Sequence, residues 1–493
     1  MDEKKDYSLP DITDSLLTSL TQCAEKLNLQ IYLVGGALRD ILMGQISVDL
    51  DFTIPAGSCH FLEQVRTHMG SGTIVPLGEK GDDTCRLVID NLSVDVSGFR
   101  KGAMSIEEDL VCRDFTINSL GVRLDVFLQH HTRKVLTDKI VDPLGGIKDL
   151  RDGVIRACPA AFTDDPLRLL RAYRFAAQRG FVITDTTLEE ISTHAQLIET
   201  SAAERISHEM DLIMSSSRAY QVLVAMKVSG LLMHLIPELY DGLDVSQPPF
   251  HHLNVFEHNL EALNRLEQII GEPKRYFSDR GQEITAFFEN EGNRIELKWA
   301  ALLHDVGKPL TKKLNPEKQD RITFYNHDEA GAEIVELTGE RMRWSRRRSR
   351  RIGSLIAMHM HPFHLGNVLK KDGELSRRAM LKLCKRAGDD LMALFLLAMA
   401  DSLAGQGPEK PAGIEELLEQ LFYNLDVFYE ETMQPVLSGP KLLTGHDLID
   451  TLGLIPGPEL GLLLDEVETA AIEGKISTKK EALAWVKKQL TDR

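Results

Sequence analysis

Residues 33–54 read LVGGALRDILMGQISVDLDFTI, and this stretch decides the fold of the first part of the chain. A short apolar strand, Ile31 to Val34, meets a glycine pair, Gly35 and Gly36, which opens a helix carrying Arg39. Asp49 and Asp51 follow on the next strand, one residue apart. Side chains at i and i+2 of a strand share a face. Two carboxylates on one face repel, and a cation between them relieves the repulsion. Hard carboxylate oxygens favour Mg²⁺, which takes one or two carboxylates together with substrate phosphates. The glycines let backbone N–H groups approach a triphosphate, and a helix N-terminus favours anions. Together these residues read as a site for metal-assisted nucleotidyl transfer. A lone GG or a lone DxD would more often be a plain strand and turn with solvated aspartates.

Further segments follow in order. Residues 112–118 read CRDFTIN, residues 142–156 DPLGGIKDLRDGVIR, residues 164–171 DDPLRLLR and residues 204–209 ERISHE. With the glycine–aspartate stretch, they resemble the five motifs of class II tRNA nucleotidyltransferases and bacterial poly(A) polymerases, a branch of the DNA polymerase beta superfamily. The resemblance covers about 180 residues and implies a role for each motif. Asp49 and Asp51 would hold Mg²⁺, and Gly35, Gly36 and Arg39 would cradle the triphosphate. Arg113, Asp114 and Asn118 would handle the ribose, with Cys112 standing where the family carries a first arginine. DDPLRLLR is similar to the nucleotide-selecting EDxxR motif, with Asp164 in place of glutamate; Asp165, Arg168 and Arg171 fall in it. ERISHE is similar to the motif that braces the neck, so Glu204 and Arg205 are expected to be structural. The superfamily also implies a third carboxylate on a neighbouring strand. Asp95 in LSVDVSGF is the candidate, since Val94, Val96 and Phe99 suggest a buried strand; Asp90, before Asn91, looks more like a turn.

Asp165 and Arg168 also have a reading of their own. They lie three apart in a segment with helical periodicity (Leu167, Leu170, Tyr173, Phe175). A carboxylate accepts hydrogen bonds from the amino group of C or A, and a guanidinium donates to ring nitrogens and carbonyls. Such a pair can read base edges without a template. The plain alternative is an i, i+3 surface salt bridge.

At 493 residues the chain is too long for one ordinary core. The expected fold is α+β and multidomain: a DNA polymerase beta-like nucleotidyltransferase head with a mixed sheet over 1–155, then all-α neck (156–245), HD (246–405) and tail (406–493) regions. Residues 1–27 look like a short amphipathic lead-in, and turns are expected at Gly70–Gly72 and Gly78–Gly81. From residue 156 onward the pattern is almost wholly helical, and Gly405–Gly413 (GQGPEKPAG) reads as a linker. The segment from residue 439 resembles the tail of bacterial tRNA nucleotidyltransferases. No apolar run reaches membrane-spanning length; Leu391 to Ala400 fits a buried helix. MDEKKDYSLPD at the start lacks the apolar centre of a signal peptide, and six cysteines without a CxxC pair read as free thiols, so a reducing cytoplasm is expected.

A formal charge of −17 argues against a nonspecific nucleic-acid coat, but binding depends on local fields. The clearest basic tract is RMRWSRRRSRR, Arg341 to Arg351, with seven arginines in eleven residues. It reads either as a solvated helix face or as a phosphate-tracking patch with Trp344 available for packing or stacking. Lys479, Lys480, Lys487 and Lys488 form a weaker patch.

A second site is signalled by HDVGK at 304–308, after the apolar segment Trp299 to Leu303. His304 and Asp305 on a helix can share a metal if other ligands come from elsewhere. The order resembles the HD phosphohydrolase superfamily, which assigns His258, His304, Asp305 and Asp401 as its H…HD…D ligands. His327 and His359 match the extra positions of its two-metal members, and His361 is a weaker candidate. The resemblance implies hydrolysis of a phosphoester, with Lys308 steadying the phosphate. His251 and His252 read as surface residues or as supports for the ligands. Imidazole nitrogen suits Mn²⁺, Fe²⁺, Co²⁺, Ni²⁺ or Zn²⁺, so a divalent transition metal is expected here.

The function this implies is template-independent addition of CMP or AMP, from CTP or ATP, to a tRNA 3′ end. The rivals are a poly(A) polymerase, and an HD phosphohydrolase whose head only binds RNA. One departure bears on the product. Between Arg100 and the helix expected at Glu107 lies only KGAMSI. Many CCA-adding relatives carry a longer flexible loop there, and CC-adding relatives often lack it. Whether CCA, CC or A alone is added stays open at this level, as does the oligomeric state.

Overall fold

The computed structural model describes residues 11–45, 49–77, 83–90, 92–129, 136–316 and 321–492. The expected turn at Gly78–Gly81 and the first ten residues of the lead-in lie outside them. The chain divides into two compact units, Met1–Leu235 and Ile236–Arg493.

The first unit is built on a six-stranded sheet with strands β1 (Tyr32–Val34), β2 (Asp49–Ile54), β3 (Thr73–Pro76), β4 (Thr84–Ile89), β5 (Leu92–Gly98) and β6 (Gly121–Arg123). Their spatial order is β3-β4-β5-β2-β1-β6. Only β2 and β5 pair in parallel; every other neighbour is antiparallel, so the sheet is mixed. Helix Ser58–Met69 packs on β3, β4 and β5, and helix Asp11–Lys26 packs on that helix. Period-two alternation sends Leu50, Phe52 and Ile54 of β2 into the core and turns Asp49 and Asp51 to the opposite face. After the sheet, helices Arg168–Arg179, Ala203–Ser215 and Ala219–Val228 pack together.

In the second unit five helices enclose one buried polar centre: Val255–Gly271, Glu291–Leu303, His327–Arg341, Arg346–Met358 and Leu391–Ala404. The last of these is the expected buried apolar helix. Among the described residues no helix is long and apolar enough to cross a membrane. Helices Gly445–Leu452, Pro458–Ile472 and Lys479–Asp492 close around Leu448, Leu463, Val467 and Val486.

Several details of the framework refine or correct the sequence expectation. The later region is helical as expected, with Lys313–Asn315 and Arg321–Thr323 adding a two-stranded hairpin. Gly405–Gly413 is not a free linker: Gly407 N–H donates to Phe250 O at 2.8 Å, and Lys410 Nζ donates to Ser402 O at 2.6 Å and to Glu415. Trp344 is not available for base stacking, because it is buried edge-on to Trp299 at 5.0 Å. Cys59 and Cys85 are joined sulfur to sulfur with Cα atoms 5.3 Å apart, because helix Ser58–Met69 lies on β4; they are not the free thiols expected.

Candidate active site in the head and candidate metal centre

The parallel pairing of β2 and β5 sets Asp51 opposite Asp95 and Asp49 opposite Ser93, so the three carboxylates share one face. Arg86 on β4 grips Asp95 with two bonds of 2.7 Å, and Ser93 Oγ donates to Asp49 at 2.5 Å. Burial raises the pKa of Asp51; Arg113 opposes the rise, and Asp95 and Asp49 add to it. That clustering of hard oxygen donors fits a divalent cation.

Gly35 has φ +67, and a Cβ there would stand 3.0 Å from Arg113 Nη1 and 3.4 Å from Asp51 Oδ2. Glycine is therefore required twice over, for the backbone conformation and for the close approach. Arg113 is held from below by Asp109, a fully buried carboxylate that also takes the Arg100 N–H and guanidinium. Burial pushes the Arg113 guanidinium down to about 10. Asp114 receives Arg171 at 2.7 Å and the Asn118 amide at 2.9 Å. Burial works against its charge, but Arg171, Asn118 and Arg168 outweigh burial and hold its carboxyl at about 2. Arg39 donates to Asn118 Oδ1 at 2.7 Å and lies 4.9 Å over the Phe175 ring.

The residues of DDPLRLLR are arranged differently from expectation. Helix Arg168–Arg179 starts at Arg168, and Asp165 precedes it in an extended conformation. The two side chains therefore do not pair with each other, although the Arg168 N–H donates to Asp165 O at 3.0 Å. The Asp165 carboxylate caps the Leu167 N–H at 3.1 Å and takes Arg205 at 3.0 Å, while Arg168 reaches the carbonyls of Arg113 and Ala161. Asp164 pairs with Lys101. Gly35, Gly36, Arg39, Asp51, Asp95, Arg113, Asp114, Asn118, Asp165, Arg168 and Arg171 all line one cavity of about 390 Å³; Asp49 lies outside its wall, at the start of β2. Arg86 and Asp109 carried no sequence signal, because each acts through a partner brought up by tertiary pairing.

In the second unit, His258, His304, Asp305, His327, His359 and Asp401 converge. His304 and Asp305 sit just past the end of helix Glu291–Leu303 rather than on it. His258 Nε2 lies 2.9 Å from Asp401 Oδ1 and 3.3 Å from His304 Nε2. His327 Nε2 lies 3.2 Å from His359 Nε2. Asp305 faces both pairs: Oδ2 is 3.3 Å from His304 and 3.5 Å from His258, and Oδ1 is 3.3 Å from His327 and 3.8 Å from His359. The Nδ1 atoms of His327 and His359 donate to Phe324 O at 2.7 Å and Ile356 O at 2.6 Å. Their Nε2 lone pairs consequently face each other, an arrangement that a shared cation satisfies and a hydrogen bond does not. Burial lowers the pKa of His258, and burial with His327 beside it takes His359 down to about 3. For His304 burial works the same way, but Asp305 and Asp401 outweigh it and raise it to about 10. The centre thus favours positive charge beside its carboxylates.

Gly307 completes the turn. A Cβ there would lie 2.1 Å from His327 O and 2.5 Å from Gly331 N, so only glycine lets the HD turn meet helix His327–Arg341. Lys308 Nζ contacts Asp305 at 2.5 Å and Gln247 at 2.7 Å. His251 stacks edge-on against His258 at 4.6 Å, and His252 Nδ1 accepts the Gln406 N–H. His361 turns away to Arg386 at 2.8 Å and is no part of the centre. A cavity of about 670 Å³, walled by Phe250, Phe324, Tyr325 and Phe363, opens onto Asp305 and Asp401.

Comparison with known proteins matches four family descriptions along the chain. They are the poly A polymerase head domain over residues 31–156, the RNA and SrmB binding site of polymerase A over 180–243, the HD domain over 255–389, and tRNA nucleotidyltransferase domain 2 over 434–486. The A-adding tRNA nucleotidyltransferase of Deinococcus radiodurans is 30% identical over 466 residues, covering 92% of this chain and 94% of that protein. The CC-adding tRNA nucleotidyltransferase of Thermus thermophilus is 31% identical over 462 residues, 92% of each. Among solved structures, the Thermotoga maritima CCA-adding enzyme complexed with tRNA shares the fold, with a TM-score of 0.63 and 20% identity over 99% of this chain and 100% of that one. With relatives at this identity along nearly their whole length, the chain belongs to the tRNA nucleotidyltransferase family.

Proposed function

We propose that the head adds CMP, from CTP, to the 3′ end of tRNA, and that the product is the CC end rather than complete CCA. The observation that carries the transfer reading is the single cavity joining Asp51 and Asp95 to Asp114, Asp165 and Arg168, with Asp49 on the same sheet face. In this reading the terminal 3′ oxygen attacks the α-phosphorus, the bond to the bridging oxygen breaks, and pyrophosphate leaves. Mg²⁺ held by Asp49 and Asp51, with Asp95 beside them, would supply electrostatic stabilisation of the phosphates. Gly35 presents backbone to the triphosphate, and Arg113, braced by Asp109, adds positive charge beside Asp51. Asp114, fixed by Arg171 and Asn118, positions the ribose. Asp165 and Arg168 meet the base edge from separate supports. The CC reading draws on the short segment after Arg100: a turn at Arg100–Gly102 is separated only by Ala103 and Met104 from Ser105, which caps helix Ile106–Val111.

In the second unit we infer a phosphohydrolase centre for RNA 3′ ends that carry a terminal or cyclic phosphate, which would restore the hydroxyl that the head requires. His258, His304, Asp305 and Asp401 would hold one divalent transition metal, and Asp305, His327 and His359 a second; bound there, they would supply an activated water. Lys308 would hold the phosphate. A tRNA substrate argues for a cytoplasmic protein.

The deciding experiment uses tRNA ending at the discriminator base, at C and at CC, each with one labelled nucleoside triphosphate. C addition to the first two with poor A addition to the third is expected. Efficient A addition to the third overturns the CC reading, and no incorporation on any of them overturns transfer to tRNA.

A further inference from the structure

Six of the seven arginines in the tract 341–351 are sorted by the fold into two sets, and the seventh, Arg343, is not without a partner. Arg341 pairs with Glu238 at 2.7 Å, Arg348 lies 4.5 Å over the Trp344 ring, and Arg351 bridges Glu296 at 2.8 Å and Asp390 at 2.7 Å. Arg348 and Arg351 hold helix Arg346–Met358 in place, and Arg341 closes the helix before it. Arg346, Arg347 and Arg350 are exposed, and none of them has a hydrogen bond or ion-pair partner among the described residues. Positions i, i+1 and i+4 of a helix fall within one arc of about 100°. The opposite face, Ser349, Ile352, Leu355 and Ile356, is buried, so the three guanidinium groups are presented outward on a rigid element.

Their placement opposes stability. Arg346 and Arg347 stand in the first turn of helix Arg346–Met358, whose N-cap Ser345 accepts the Arg348 N–H. A helix start carries partial positive charge and disfavours cations. The adjacent helix His327–Arg341 exposes Glu333, Glu336 and Glu340, yet none of these is bonded to the three arginines among the described residues. A chain with net charge −17 thus keeps an unpaired cluster of one sign, two members of which stand at a helix start. A site that breaks a local rule without a stabilising return points to a ligand. Guanidinium forks match the oxygens of phosphates, and several on one face match a chain of phosphates better than a single anion.

We propose that Arg346, Arg347 and Arg350 form a docking surface for the phosphate backbone of RNA on the HD half of the chain. The same helix ends at His359 of the metal centre, about 20 Å along its axis from Arg346. RNA gripped here lies on the element that helps build the second site. The choice of RNA rests on the tRNA reading above.

The test measures binding of labelled tRNA lacking its CCA end to the full chain, across a series of KCl concentrations. Each phosphate neutralised adds about 0.7–0.9 to the slope of log K against log salt. The triple variant Arg346→Gln, Arg347→Gln, Arg350→Gln is expected to bind more weakly, with a slope shallower by about two to three. Its thermal unfolding should not fall, because cations leave a helix start. The triple Arg→Lys variant should keep the wild-type slope, since the charge remains. An unchanged slope in the Gln variant overturns the docking surface and leaves the tRNA reading standing. A wild-type chain that binds CTP but no tRNA overturns both.

Discussion

Arg86 on β4 holds both carboxylate oxygens of Asp95 on β5, at 2.7 Å each, and so fixes the third acid of the head in line with Asp51. Arg86→Met should release Asp95 while leaving it charged. Steady-state assays at varied Mg²⁺ should then show a higher metal requirement with a modest loss at saturation. Asp49→Ala or Asp51→Ala should cost about a thousandfold in nucleotide incorporation at any Mg²⁺ level. Wild-type rates in either alanine variant would remove the carboxylates from the chemistry.

Arg205 supports Asp165, and Arg168 stands apart from both. Arg168→Ala is expected to reduce the kcat/KM preference for CTP over UTP by about 10²-fold, because the half-buried guanidinium proposed to donate to the base is lost. Arg205→Ala should loosen the same preference less, by freeing Asp165. A uniformly lower rate with an unchanged ratio would mark the motif as structural.

Asp114 links the site to acid stability. Its carboxyl titrates near 2 in the fold against 3.8 when unperturbed. The unfolded chain binds the proton first, so this contribution is complete above about pH 4 and disappears as pH falls toward 2; it amounts to about 2 kcal/mol. Asp114→Asn should therefore flatten the fall in urea-unfolding free energy between pH 4 and pH 2. An equally steep fall in the variant would show that other groups carry it.

The HD centre should be separable from the head. After chelator treatment and reloading with Mn²⁺, Co²⁺ or Ni²⁺, the wild-type chain should retain two metals, and His304→Ala with Asp305→Ala should retain fewer than one. CMP incorporation should change little. Retention of two metals by the double variant would exclude Asp305 as the shared ligand.

Gly307→Ala tests the backbone contact beneath that centre. The added methyl group meets His327 O, so His327 must shift. Metal content should fall from two toward one, with His258 and His304 still able to bind. Full occupancy of both positions would show that the turn yields without cost.

The sequence made visible whatever follows a local period or a spaced motif. Leu50, Phe52 and Ile54 alternating with Asp49 and Asp51 set the strand and its two faces, and HDVGK marked the middle of the candidate metal centre. Pairings made by the tertiary fold were not legible. Nothing in TCRLVI ties Arg86 to Asp95, and Asp109 in IEEDLV resembles any surface acid although it is fully buried beneath Arg113. The periodicity of Leu167 to Phe175 extended a helix over Asp165 one turn too early, because a carboxylate that caps the start of a helix carries no apolar mark. Proline and glycine in GQGPEKPAG signalled a break correctly, but composition could not reveal that Phe250 receives its backbone.

That last contact alters where the second unit can be divided. Gly407 and Glu409 return their N–H groups to Phe250 and Pro249, two residues that lie 150 or more positions earlier and lead directly into His251. Lys410 then fastens the strap to Ser402, the neighbour of Asp401. A chain ending at Gly405 would keep every candidate metal ligand and lose the clasp that joins the two ends of the segment bearing them. Fragments meant to isolate the histidine centre must run past Glu415 to remain closed.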